Sequence, residues 1–255
     1  MIFIYLEPEM NNALDLEDIK KYIEENINNF HQRRLEKLRK LNLKKVLKRK
    51  NIYMLRAKNI LTFQDFVKSI LDSFLSSQEE TIFGELLEGL AVFVCSQVYN
   101  GIKSSAEGID LEFEKESIKY IVSIKSGPNW GNSSQIKKMK DQFQKAKKIL
   151  GTNRSKVNIV AVNGCCYGRD NKPDKGDYLK LCGQRFWEFI SGDSTLYTDI
   201  VKPLGFKAKE ENEEFLKAYS QILNQFSIEF GKDFSIEGSI DWEKLVRYTS
   251  SKVNL

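Results

Sequence analysis

Apolar and polar positions follow two different periods along this chain, and each change of period marks an element. Leu35, Leu38, Leu41 and Leu43, then Val46 and Leu47, recur at roughly helical spacing, which predicts one amphipathic helix or a pair of them between His31 and Lys50. The helical pattern continues from Phe63 to Phe74. A longer helix is expected from Gln78 to Val98, and it becomes apolar all round after Glu88, so its second half belongs in a core. The period then drops to two. Ile109, Leu111 and Phe113 alternate with polar residues, as do Tyr120, Val122 and Ile124; a turn of about four residues around 115–118 pairs them so that these six share one face. From about Ser134 to Leu150 the helical period returns, with Ile136, Met139, Phe143, Ala146 and Ile149 on one side. The near-continuous apolar run 157–162 predicts a strand covered on both faces. Strand, helix and buried strand make a crossover unit. Residues 163–177 read as loop, Tyr178 to Leu181 as a further strand and Arg185 to Ser191 as a short helix. The stretches 207–230 and 241–250 read as helical. The fold class is therefore α/β, a mixed sheet flanked by helices with helical additions at both ends.

Composition adds bounds. With 255 residues and 41% hydrophobic content the chain can bury a sizeable core. It shows no internal repeat or composition break, so a single domain is expected over 1–255. Within it lie a helical, basic part at 1–77, an α/β core at 78–205 and C-terminal helices at 206–255. The longest uninterrupted apolar run, Gly89 to Cys95, is short, and MIFIYLEPEM has neither a basic leader nor a small-residue cleavage site. The expectation is a cytoplasmic protein without a membrane span. Cys95, Cys165, Cys166 and Cys182 form no CxxC pair and are read as reduced thiols. The net charge of +5 is mild, but ten of the twenty residues from His31 to Lys50 are Lys or Arg. Such a run is either a solvated face or, through Lys44, Lys45, Lys48 and Arg49, a phosphate-contacting surface.

The chemistry concentrates in the hairpin. With the six apolar residues on one face, Asp110, Glu112, Glu114, Ser123 and Lys125 project from the other. Neighbours on one face lie roughly 5 to 8 Å apart, so Asp110, Ser123 and Lys125 can converge. That is either a surface ion pair or an active site. Asp110, twelve intervening residues and then Ser123-Ile124-Lys125 resemble the PD-(D/E)XK nuclease motif in degenerate form, with Ile109 in place of the proline. The following SGPNWGNSSQ, the upstream FGELLEGLA and the downstream CGQRFWEFISG resemble a branch of the type II restriction endonucleases. The resemblance spans the segment from residue 80 to residue 205. It implies a restriction-endonuclease-like core, Mg²⁺-dependent cleavage of duplex DNA, a homodimer, and a separate cognate DNA methyltransferase that protects the host. It also leans towards a GG…CC-type palindrome with a variable centre.

The acid of (D/E)XK is missing, because position 123 is Ser, and a hydroxyl is a poor Mg²⁺ ligand beside a carboxylate. Glu88, set where its helix turns wholly apolar, is the candidate replacement, because an unpaired carboxylate there is costly. Glu112 is held in reserve. Pro173-Asp174 matches the literal motif, but NKPDKGD has the composition of a turn and no acidic-x-Lys triplet follows at a useful distance. His31 is the only histidine, which argues against nuclease designs that need a histidine base or phospho-enzyme. In the scheme the resemblance implies, Asp110, Glu88 and the Ile124 carbonyl hold Mg²⁺, for which Mn²⁺ can substitute. Lys125 orients the attacking water, and in-line attack leaves a 5′-phosphate and a 3′-hydroxyl. Asn129, Trp130, Asn132 and Gln135 lie in the loop leaving the catalytic strand, where they can read bases or hold phosphates. Lys137, Lys138, Arg169, Lys172 and Lys175 are further candidate DNA contacts. The expected function is a type II restriction endonuclease. The alternatives are a structure-specific repair or junction nuclease of the same fold, and a non-catalytic DNA-binding protein.

Overall fold

In the computed structural model, which describes residues 13–152 and 158–252, the helices and strands run in this order: α1 (Leu16–Arg39), α2 (Leu43–Leu47), α3 (Ile52–Ala57), α4 (Phe63–Tyr99), β1 (Leu111–Lys115), β2 (Ile118–Lys125), α5 (Ser133–Thr152), β3 (Asn158–Cys165), β4 (Leu179–Cys182), α6 (Gln184–Ser191), α7 (Leu196–Asp199), α8 (Val201–Leu204), α9 (Ala208–Phe234), β5 (Ser235–Ile236), β6 (Ser239–Ile240) and α10 (Trp242–Ser250). The fold is mixed α/β, with a mixed four-stranded sheet flanked by helices.

Local chemistry explains the breaks. The basic segment divides between the end of α1 and α2 because Asn42 caps α2, its side chain accepting the Lys45 N–H; beyond the segment, Asn51 caps α3 in the same way. The stretches 63–74 and 78–98 are one helix, since no Gly or Pro interrupts Leu75 to Gln78. That helix ends where Asn100 turns left-handed (φ 51°) and the Gly101 N–H returns to the Cys95 carbonyl at 3.1 Å. By length and composition α4 is long and apolar enough to cross a membrane, which the short run at Gly89–Cys95 does not suggest. Of its apolar side chains, Phe66, Val67, Ile70, Leu71, Leu90, Ala91, Val94 and Cys95 are buried within the protein, and Phe63, Phe74, Phe83, Leu86, Val92 and Phe93 are partly buried.

The chain forms two compact units, each made of two separate segments. One comprises Asn28–Phe83 and Lys207–Leu255. Its core gathers Leu43, Val46 and Leu47 of α2, Phe66 and Ile70 of α4, Phe226 and Phe230 of α9 and Leu245 of α10, with Phe66 stacked on Phe230 at 4.4 Å. Here the buried leucines of the basic segment do structural work while its lysines face outward.

The other unit, Met1–Ile27 and Gly84–Phe206, holds the sheet, in the order β1-β2-β3-β4. β1 and β2 are antiparallel, and β2, β3 and β4 are parallel. The hairpin closes through Glu116 and Ser117, both at positive φ (53° and 60°), and its register pairs Lys115 with Ile118 and Leu111 with Val122. One sheet face carries Phe113 and Tyr120, stacked at 5.2 Å, with Tyr99 and Phe189 packed against Phe113. The opposite face receives Met139, Phe143 and Ala146 of α5 against Ile121 and Ala161.

Two expectations need correction. Ile109 does not share the face of Leu111 and Phe113 but joins the α5 cluster, because Gly108 (φ 78°) and a turn from Ala106 to Ile109 end the strand alternation before Leu111. Residues 163–165 are strand rather than loop. They pair with Ser123–Lys125 on one side and Lys180–Cys182 on the other. All four cysteines are buried free thiols.

Candidate active site

Asp110 sits immediately before β1 and is tied into the sheet by its own N–H, which donates to the Val122 carbonyl at 2.8 Å. Its Oδ2 accepts the Ile124 N–H at 2.6 Å, lies 3.5 Å from the Ser123 hydroxyl and 3.7 Å from Lys125 Nζ. Lys125 Nζ also donates to the Ile124 carbonyl at 2.8 Å. The side chains of Asp110 and Lys125 keep 22% and 30% of their surface exposed. An ion pair this open and this long contributes under about 1 kcal/mol to stability, so stability alone is a weak reason for its presence.

Glu88 reaches the same neighbourhood from α4. Gly84 lets this happen: a Cβ there would meet the Ser126 hydroxyl, so the helix runs close over the end of β2, and Glu88, one turn on, shares that helix face. The carboxyl is half-buried and lies 3.6 Å from Lys103 Nζ. Burial pushes its pKa above the usual range and the negative charge of Asp110 adds to the effect, while Lys103 and Lys125 pull the other way without cancelling it. A half-buried carboxyl that feels the Asp110 charge this strongly marks a place short of positive charge.

Glu112 is differently placed. One oxygen accepts the Ser104 hydroxyl and the other pairs with Lys119 Nζ at 2.8 Å. Burial pushes this carboxyl up, but the hydrogen bonds from Lys119 and Ser104 and the Lys119 charge outweigh it and hold it below the ordinary range. Its oxygens are engaged away from Asp110. Among the described residues no group of three or more His, Cys, Asp and Glu side chains could hold a metal. The sequence candidates for metal ligands, Asp110, Glu88 and the Ile124 carbonyl, would offer oxygen donors alone. That suits Mg²⁺, which keeps several waters and takes one or two protein carboxylates, and it lacks the nitrogen or sulfur donors of a zinc site.

The remaining candidates scatter. Asn132 and Gln135 form a reciprocal cap on α5: the Asn132 side chain accepts the Gln135 N–H at 3.1 Å and the Gln135 side chain accepts the Asn132 N–H at 3.0 Å. Trp130 Nε1 donates to Asn163 at 3.1 Å, and its ring lies 5.5 Å from Lys125 Nζ. Asn129, Lys137, Lys138, Arg169 and Lys172 are exposed. Lys175 pairs with Asp170 at 3.0 Å, and Asp170 also lies 3.7 Å from Lys180, which donates to the Pro128 carbonyl at 2.8 Å. Asp174 caps its own turn by accepting the Gly176 N–H at 2.7 Å. In the helical unit Lys44 pairs with Asp233 at 2.9 Å, whereas Lys45, Lys48 and Arg49 are exposed, Lys48 lying 5.3 Å from the Tyr248 ring.

Sequence reasoning missed Lys103, Asn163 and Cys166. The Cys166 N–H donates to the Lys125 carbonyl at 2.9 Å, and burial together with the Glu88 charge pushes its thiol up to about 12. Asn163 had a signal, as a lone amide at the end of an apolar strand.

No curated protein matches the chain. The family model of the type II restriction endonuclease EcoO109I matches residues 17–212, a stretch that contains the sheet, Glu88, Asp110 and Lys125. By that match over most of its length, the chain belongs to the type II restriction endonuclease EcoO109I family.

Proposed function

We propose that the protein is a Mg²⁺-dependent, site-specific endonuclease that cuts duplex DNA and leaves 5′-phosphates. We further propose that it acts as a homodimer and is paired with a DNA methyltransferase that protects the host. The observation that carries this reading is the convergence of Asp110, Lys125 and the electrostatically coupled Glu88 at the end of β2. Asp110, Glu88 and the Ile124 carbonyl are the groups that would hold the ion. When bound, it supplies charge to neutralise the scissile phosphate. Lys125, as an ammonium held by the Ile124 carbonyl and Asp110, donates a hydrogen bond that fixes the attacking water in line with the phosphorus. The Ile124 N–H holds Asp110 Oδ2, so this carboxylate is aimed before substrate arrives. Ser123, buried with its hydroxyl towards Asp110, supplies no charge. Candidate DNA contacts are Asn129, Lys137, Lys138, Arg169 and Lys172 in one unit and Lys45, Lys48 and Arg49 in the other.

The test is incubation of the purified protein with phage DNA and Mg²⁺. Discrete fragments with 5′-phosphate ends are expected, and sequencing the ends gives the recognition site and stagger. Nicks confined to branched or damaged DNA would make it a structure-specific nuclease, and a gel shift without cleavage would make it a binding protein.

A further inference from the structure

We propose that Asn163 and Trp130 are positioning residues that hold the Lys125 ammonium in its working place, a role that rests on the nuclease reading above. Lysine is a point charge on a flexible four-carbon stem, so a lysine that must orient one water needs restraint from its surroundings. Lys125 Nζ has the Ile124 carbonyl at 2.8 Å, Asp110 at 3.7 Å and the Trp130 ring centroid at 5.5 Å. The first two fix its height above β2. The indole face is the contact that bounds its swing, by the attraction of a cation to an aromatic ring.

The indole is in turn fixed from below. Asn163, 1% exposed in β3, uses both ends of its amide: Oδ1 accepts Trp130 Nε1–H at 3.1 Å, and Nδ2 donates to the Ser123 carbonyl at 3.1 Å. An indole N–H only donates and a carbonyl only accepts, so the amide has one possible orientation. Asn163 is the register partner of Ser123 in the β2–β3 pair, two residues from Lys125 on the same strand. The chain of contacts therefore starts and ends on β2: Ser123 carbonyl, Asn163 amide, Trp130 ring, Lys125 ammonium. A loop tryptophan is locked to the catalytic strand instead of following the DNA. A valine or leucine at 163 would suit a strand covered on both faces at least as well, so packing alone gives no reason for a buried amide there.

The experiment combines two readouts. The first is single-turnover cleavage in Mg²⁺ by Trp130→Phe, Asn163→Ala and the double variant, each made with and without Lys125→Ala. Trp130→Phe keeps a ring but removes the N–H. Each single variant should cut roughly tenfold more slowly, with DNA affinity in Ca²⁺ unchanged, and the double should be no worse than the poorer single. Beside Lys125→Ala the tenfold loss should shrink to under about twofold, because the clamp acts through that lysine. A full loss persisting in the Lys125→Ala protein, or a loss carried wholly by DNA affinity, would overturn the proposal.

The second readout needs no activity: hydrogen exchange of the Trp130 indole N–H by NMR, with Trp187 and Trp242 as internal references. Protection should fall on the order of 10²-fold in Asn163→Ala, and Lys125→Ala should move the Trp130 resonance and leave the other two in place. Equal exchange in wild type and Asn163→Ala would sink the clamp. If wild type fails to cut DNA, the nuclease reading falls, and the indole measurement still decides the clamp. If Asn163→Ala fails to fold, Trp130→Phe removes the same hydrogen bond from its less buried end and carries the cleavage test.

Discussion

Glu88 and Glu112 lie on either side of Asp110 in sequence, and their surroundings drive them in opposite directions. Glu88 is raised by burial and by the charge of Asp110; Glu112 is raised by burial but brought below the ordinary range by Lys119 and Ser104. Glu88→Gln should therefore lower single-turnover cleavage at least about 10²-fold, or roughly 2.7 kcal/mol of transition-state stabilisation, with DNA binding in Ca²⁺ retained. Ser123→Ala should cost much less. Glu112→Gln should act on the fold, lowering stability by about 1–3 kcal/mol through the stranded Lys119, with cleavage by the folded fraction near normal. Thermal melts run beside the kinetics separate these, and a fast Glu88→Gln beside a dead, stable Glu112→Gln would transfer the ligand role to the hairpin. His31 offers a pH prediction in the helical unit. It is 9% exposed, and neither ring nitrogen meets a hydrogen-bond partner among the described residues. Burial lowers its pKa below 6.5, Glu211 opposes this and Arg34 assists it. Below 6.5 the unfolded chain takes up a proton that the folded chain still refuses, so stability falls as pH drops from 6.5 through the lowered value and then levels off. His31→Gln should remove that segment from a denaturation-against-pH profile.

At the scale of elements, the hairpin and its register were legible because strict alternation puts Leu111, Phe113, Tyr120 and Val122 on one face and the turn at 115–118 then sets which of them pair. Ile109 was illegible because alternation fails where Gly108 turns the chain, and a pattern of side chains does not show φ. β3 was read too short because Asn163-Gly164-Cys165 has the composition of a turn, whereas Gly164 is small to admit α6: a Cβ there would collide with the Phe186 ring. Gly164→Ala should accordingly lower stability by about 1–3 kcal/mol, read as an earlier denaturation midpoint, through overpacking rather than backbone strain. The pairing of Asp110 with Lys125 could be read from spacing. The capping of α5 could also have been, since Asn132 and Gln135 stand three residues apart before an amphipathic helix. The partner of Lys44 could not, since Asp233 lies far along the chain. That partner narrows the test of the basic segment. Replacing Lys45, Lys48 and Arg49 by Gln should weaken specific and nonspecific DNA binding together and lower the slope of log affinity against log salt. An unchanged slope would make those residues a solvated face.

For the molecule as a whole, the proposed all-oxygen donor set predicts a clear metal dependence. Mg²⁺ and Mn²⁺ should support cleavage, Ca²⁺ should support binding without cutting, and Zn²⁺ should do neither well. Full cleavage in chelator would overturn it. Each compact unit is interrupted: the chain leaves the sheet-bearing unit at Ile27, re-enters it at Gly84 and leaves again at Phe206. Proteins are made from the N-terminus and their domains fold as they become complete. Everything the sheet-bearing unit needs, Glu88, Asp110 and Lys125 included, has been synthesised by Phe206, while the helical unit waits for Lys207–Leu255. A chain halted in that interval would carry the proposed catalytic groups and only half of the residues of the basic, helical unit. In a cell whose own DNA is a substrate, whether such a fragment can grip DNA becomes a question about the timing of translation.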